Sequence, residues 1–189
     1  MRFATSHKTL LELAADRIEV QEDPVAQELM LRVPKELASN IPNEMLKATF
    51  DISVWKSPRL VKRVARNAPQ EVSSTWDTVR NTNSPIEQVR ALSKLKGVAV
   101  PRASALLTFW NPADYAVIDR YMIDVFHSFK ELQSVRRDNI KPEDYGEFVT
   151  KIRELAKMLG TQCRQVELSI YQSYLVWAFD EKCRRLFSS

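Results

Sequence analysis

LSKLKGVAVPRASALLTFWNPADYAVIDR, residues 92–120, is the stretch on which the fold turns. Ser84-Pro85-Ile86-Glu87 just upstream places a hydroxyl at a cap, proline at the first helical position and glutamate three residues after the cap, so a helix should begin there. Ile86, Val89, Leu92 and Leu95 recur at three-residue spacing as one buried face, with Arg90, Lys94 and Lys96 off that row. Gly97 ends the helix, because the residue past a helix terminus often needs a positive φ that glycine adopts without steric cost. Pro101 opens a second helix through Ala103, Ala105, Leu106, Leu107 and Phe109, with small residues that permit close helix packing. Free amides at that second N-terminus, together with the helix dipole, form an anion site. Asn111-Pro112 breaks the second helix. Tyr115 to Ile118 then lead to Asp119, whose carboxylate can cap a third helix from Arg120 to about Phe129.

The rest of the chain is read against that segment. With 189 residues, 44% hydrophobic content, only three glycines and no repeat, it is expected to be all-α, one helical unit over residues 1–189. Thr9 to Val20 has helical apolar spacing, Asp23-Pro24 marks a break, and Leu29 to Val33 reads as a connector punctuated by Pro34 and Pro42. The N-terminal segment is acidic and should avoid a polyanion. Ser57-Pro58 starts a helix with Arg59, Lys62, Arg63 and Arg66 on one face; with Lys56 there are five positive charges and no acid in eleven residues. That face reads either as a solvated surface or as a phosphate-contacting one, and the net charge of +4 is compatible with the second. Further on, Lys141-Pro142 opens a helix that Gly160 closes, and Thr161 caps a long last helix with a basic tail of Lys182, Arg184 and Arg185. His127 sits in an apolar stripe and reads as a packing residue.

The pattern Leu95-Lys-Gly-Val-Ala-Val-Pro-Arg-Ala-Ser104 followed by Val117-Ile118-Asp119 resembles the signature of the helix-hairpin-helix base-excision DNA glycosylases. Their hairpin commonly reads Leu-Pro-Gly-Val-Gly, and their catalytic aspartate follows in an apolar-apolar-Asp context. The eighteen residues from Pro101 to Asp119 match the family's spacing. The resemblance covers about thirty residues. It implies a compact glycosylase-like fold of two closely packed helical subdomains, with the hairpin at about residues 84–109. It also implies binding of damaged double-stranded DNA: Lys96, Gly97, Val98, Val100 and Arg102 would hold a phosphate, and the damaged nucleotide would be flipped into a cleft. Asp119 would then stabilise positive charge on the sugar and orient the attacking water.

The departures from the family pattern are chemical. Bifunctional members carry a lysine nucleophile where Pro101 stands, so strand cleavage by that route is not expected. Ala99 replaces the second hairpin glycine. Only Cys163 and Cys183 are present, so a four-cysteine iron-sulfur cluster is not expected, nor is any other cofactor. The cysteines lie on one helix, on the order of 30 Å apart, too far to bond. With no second histidine near His127 and no short cysteine spacing, no metal site is expected. Trp55 and Trp76 flank the basic segment and could stack on a flipped base, or simply fill the core. Nothing in the chain is apolar over the roughly 20 residues a membrane span needs, and a soluble protein of the reducing cytoplasm is expected. A monofunctional N-glycosylase is the leading expectation. A non-catalytic DNA-binding or structure-sensing protein on the same scaffold is the alternative, and a helical interaction module the third.

Overall fold

Caps and prolines set most of the helix starts. In the computed structural model, which describes residues 3 and 5–187 and side chains through residue 184, every regular element is helical. In chain order these are α1 (Leu10–Asp16), α2 (Pro24–Ala38), α3 (Pro42–Lys56), α4 (Val61–Val64), α5 (Pro69–Arg80), α6 (Pro85–Leu92), α7 (Val100–Trp110), α8 (Arg120–Ser128), α9 (Pro142–Leu159) and α10 (Cys163–Phe187). Proline occupies the first turn of α2, α3, α5, α6, α7 and α9, where its missing N–H costs nothing. The expected all-α class holds, and the helices form a compact fold around one contiguous buried cluster.

α7 is the helix the others surround. Apart from Pro101, its residues from Val100 to Phe109 are all buried. A helix apolar on every face must be enclosed, and α7 touches α2, α3, α6 and α9. α3 packs against both α2 and α5, with Leu29, Val33, Ile52 and Trp76 of the three helices buried, while α1, α8 and α9 all rest on α10. α6 lies on α9 so closely that a Cβ on Gly146 would come within 2.6 Å of Ile86 Cγ1.

Several local expectations are corrected. Asp23-Pro24 begins a helix instead of marking a break: Asp23 Oδ1 accepts from the Ala26 amide, and the buried stripe Ala26, Leu29, Val33 and Leu37 carries α2 through Pro34. The helix expected after Ser57-Pro58 shrinks to the single turn of α4, because Leu60 takes a left-handed conformation with φ 64°. The first hairpin helix ends at Leu92, and the second starts at Val100, one residue before Pro101. Thr161 belongs to the end of α9, donating its amide to Ala156 O, and α10 begins with a Val166 amide bond to Gln162 O.

Other expectations hold closely. Ser84 Oγ accepts from the Glu87 amide, Gly97 adopts φ 78°, and Gly160 closes α9 at φ 64°. His127 bonds through Nε2 to Leu132 O, as a packed histidine does. Of the basic tail, the Arg185 side chain lies outside the described residues.

Both cysteines are free on α10. Cys163 is buried, and burial pushes its thiol up to about 11. Under native conditions a thiol reagent should therefore modify Cys183 promptly and Cys163 only after unfolding. Two prompt modifications would contradict the packing of α10 against α9. No helix among the described residues is long and apolar enough to cross a membrane.

Candidate functional site

The basic segment after Ser57-Pro58 and the connection between α6 and α7 lie side by side, held by two buried residues. Asn67, in the turn after α4, donates from Nδ2 to Val64 O (2.8 Å) and to Lys96 O (3.1 Å), and its Oδ1 accepts from the Lys96 amide (2.8 Å). Arg102, on the first turn of α7, donates to the carbonyls of Gly97, Ser57 (3.1 Å) and Arg59 (2.8 Å). A buried guanidinium needs such acceptors, and burial pulls its pKa below the ordinary arginine value. The Arg102 head therefore faces inward, tying residues 57–59 to the connection between α6 and α7.

The result is a basic ledge. Arg59, Lys62, Arg63, Arg66 and Lys96 are exposed around that connection, and none pairs with a carboxylate among the described residues. Lys96 Nζ reaches only Arg66 O, at 3.4 Å. The Val98 amide is used within the turn, bonding Leu95 O at 3.1 Å. The amides of Gly97, Ala99 and Val100 have no acceptor among the described residues. Three such donors at a helix start, ringed by cations, suit an anion. The side chains of Val98 and Val100 are buried and serve packing.

Asp119 stands at the next junction. It caps α8, its Oδ1 accepting from the amides of Tyr121 (2.9 Å) and Met122 (3.1 Å). Its Oδ2 accepts from Lys56 Nζ at 2.8 Å, with the two side chains 20% and 15% exposed. The approach to it is fixed from both sides: Ser104 Oγ of α7 accepts from the Ile118 amide (3.1 Å), and Glu167 Oε2 of α10 accepts from the Val117 amide (3.3 Å). Asp119 opens into a cleft of about 320 Å³ whose walls include Trp55, Lys56, Tyr121, Glu167 and Tyr171. That volume lies at the lower end of small-molecule sites, which run from about 300 to 1,000 Å³.

Two of the lining residues, Arg164 and Glu167, belong to a buried ion cluster. Arg164 pairs with Glu167 and Glu22, its Nη2 lying 2.8 Å from Glu22 Oε2. Burial opposes the Arg164 charge, yet the two carboxylates hold its pKa above the ordinary value. Burial also pushes the Glu167 carboxyl above the usual carboxylate range, against the pull of Arg164. The Arg164 guanidinium lies 5.5 Å from the Trp55 ring centre, and Trp55 Nε1 donates to Asp23 Oδ2 at 3.1 Å. The Trp55 ring thus stands edge-on to Phe109, 4.7 Å away, and partly open to the cleft. Trp76 is fully buried, with Nε1 donating to Thr49 Oγ1, and belongs to the core.

Lys56 is the residue the sequence misassigned. Counted with the basic segment, it ends α3 and turns to Asp119, sixty-three residues away in sequence. Glu167 carried a readable signal, since an acid alternating with Cys163, Val166 and Ile170 sits on a buried stripe and needs a partner. Asn67 carried none. Among the described residues no group of three or more His, Cys, Asp or Glu side chains is placed to hold a metal ion. No protein-family model matches the chain, and no curated protein or solved structure is significantly similar to it.

Proposed function

We propose that this protein is a DNA N-glycosylase that excises a damaged base from double-stranded DNA by hydrolysis, with Asp119 as the catalytic carboxylate. One observation carries the reading. Consecutive residues join the basic ledge to the cleft, since Lys56 binds Asp119 while Ser57 O accepts from Arg102 on the helix behind the anion site. A phosphate held on the free amides of Gly97, Ala99 and Val100 would leave its neighbouring nucleotide beside Asp119. On this reading α6, the Gly97 turn and α7 are the helix-hairpin-helix of the resemblance. The cleft lies between two helical subdomains, one built on α2, α3 and α5 and the other on α8, α9 and α10.

The parts then take distinct roles. Arg59, Lys62, Arg63, Arg66 and Lys96 hold the backbone without reading sequence. Arg102 and Asn67 keep the two halves of that surface in register. A flipped base enters the cleft, where Trp55, Tyr121 and Tyr171 offer ring faces and edges. As the N-glycosidic bond breaks, positive charge grows on the sugar, and the Asp119 carboxylate stabilises it and orients water toward C1′. Two amides fix that carboxylate, so little reorganisation is needed at the moment of reaction.

The test is base release from end-labelled duplexes carrying alkylated, oxidised or deaminated bases, with hot alkali added to reveal abasic sites. Alkali-dependent breaks at one lesion class support the reading. No release from any lesion, with duplex binding intact, would leave a DNA-binding scaffold on which Asp119 is a cap paired to Lys56.

Binding has its own measurement. Each neutralised phosphate adds about 0.9 to the slope of log affinity against log salt, so replacing Arg59, Lys62, Arg63 and Arg66 with alanine should lower that slope by up to about 3–4. These side chains are exposed, so the variant should unfold within a few degrees of wild type. An unchanged slope would remove the ledge from the binding surface.

A further inference from the structure

Most charged groups in the wall of the Asp119 cleft are already taken. Asp23 accepts from the Ala26 amide and the Trp55 indole, Asp119 accepts from two α8 amides and Lys56, and Arg164 holds the carboxylates of Glu22 and Glu167. Glu167 is the exception. It is only 3% exposed, and both of its hydrogen bonds, from the Val117 amide and from Arg164, end on Oε2. Oε1 has no partner among the described residues, yet it is not sealed inside the protein, so it opens on the cleft that Glu167 lines. An acceptor so nearly buried is costly to leave without a donor. Charge points the same way, because Glu22 and Glu167 share one guanidinium and the cluster carries one negative charge in excess. An ionised carboxylate accepts and never donates. What suits this oxygen is an N–H group on a planar ring that can lie against Trp55, Tyr121 and Tyr171.

We infer that Glu167 reads the base entering the cleft through its free oxygen, so that the protein takes bases bearing an exocyclic amino group and rejects their deaminated counterparts. The inference rests on the excision reading for its ligand class, a nucleobase. An amino group gives the carboxylate a charge-assisted hydrogen bond. Deamination puts a carbonyl in its place, so two acceptors face each other and Oε1 stays without a donor. Gln172, also in the wall, offers both a donor and an acceptor and does not discriminate. Base identity is thus set from α10, apart from the chemistry at the cap of α8.

The experiment titrates the full chain with 9-methyladenine, 9-methylpurine and 9-methylhypoxanthine, followed by nuclear magnetic resonance of the bases. The first two differ by one amino group, and the third carries a carbonyl in its place. 9-Methyladenine should bind at least about tenfold more tightly than 9-methylpurine, the range expected for a hydrogen bond to a charged acceptor. It should also bind more tightly than 9-methylhypoxanthine, whose ring N–H sits beside a carbonyl that repels the carboxylate. In Glu167→Gln the side-chain oxygen can keep the Val117 amide and Arg164, which turns an NH2 group toward the cleft, and Glu22 still holds Arg164. The preference should then pass to 9-methylhypoxanthine, whereas a merely structural loss would weaken all three alike. Equal binding of the three by wild type, or none, overturns the inference. So does a wild-type preference for 9-methylhypoxanthine, which a protonated Glu167 donating to the carbonyl would produce. The wild-type comparison needs no variant to fold. Excision is judged separately: release of deaminated bases as fast as amino-bearing ones leaves it standing and removes Glu167 as the reader. Selective binding with no release of any damaged base does the reverse.

Discussion

Asp119→Asn should slow base release by about a thousandfold while the protein remains folded. A carboxylate about 4 Å from a unit positive charge contributes on the order of 4 kcal/mol at an effective dielectric constant of about 20, and each 1.36 kcal/mol is tenfold in rate. Asparagine removes that charge but keeps an oxygen for the Tyr121 and Met122 amides, and it caps helices about as well as aspartate. The structural cost comes mainly from Lys56, which loses its partner. At 15% exposure that side chain falls between a surface pair, about 0–1 kcal/mol, and a buried one, about 3–5 kcal/mol when broken, so a loss on the order of 1–3 kcal/mol is expected. A domain stable by about 5–15 kcal/mol survives that. Single-turnover release with enzyme in excess, beside a thermal melt, separates the two effects. A rate within tenfold of wild type in a folded Asp119→Asn protein would reduce Asp119 to a cap.

The parts of this arrangement differ in how far the chain announces them. Ser84, Gly97, Asp119 and Gly160 act on backbone within four residues of themselves, so their roles as caps and turns are local chemistry and were legible. α2 was not, because Pro34 reads as a stop until Leu29, Val33 and Leu37 are known to share a buried face. α4 failed the other way: Pro58 and the regular basic spacing promise a helix, and the left-handed Leu60 cuts it short where Arg102 holds the carbonyls of Ser57 and Arg59.

The site is less local still. Lys56 and Asp119 are brought together by the packing of α3 on α7, and Asp119 itself is anchored through Ser104 of α7 and Glu167 of α10. Arg102 looked like a surface cation beside an anion site; only the fold shows its guanidinium committed to three carbonyls. Charge identifies which residues could meet a phosphate, but burial decides which of them face solvent and which are committed to the protein's own carbonyls and carboxylates.

That dependence on packing makes the contact between the ledge and the hairpin connection its weakest point, and Gly97→Ala the sharpest probe of it. Gly97 has φ 78°, and a Cβ there would lie 2.9 Å from Arg63 Cβ and 3.1 Å from both Val64 Cγ2 and the Val64 amide nitrogen. The left-handed conformation costs a non-glycine residue about 1–2 kcal/mol, and the overpacking adds about 1–3 kcal/mol, since Arg63 Cβ and the Val64 nitrogen are fixed to the backbone and cannot swing aside. A total loss of about 2–5 kcal/mol is expected. Gly160→Ala is the internal control, because Gly160 has φ 64° with nothing near its added Cβ and should cost the conformational share alone. Asn67→Ala should behave like Gly97→Ala, losing about 2–4 kcal/mol as the Lys96 amide and the Lys96 and Val64 carbonyls give up their buried partner. Both variants keep every cation of the ledge, so DNA affinity should fall about tenfold or more with the salt slope nearly unchanged, the opposite signature to the fourfold alanine variant. Denaturant melts and salt titrations of the three variants together decide the matter. If Gly97→Ala costs no more than Gly160→Ala and binds DNA like wild type, the ledge and the hairpin connection are not in contact.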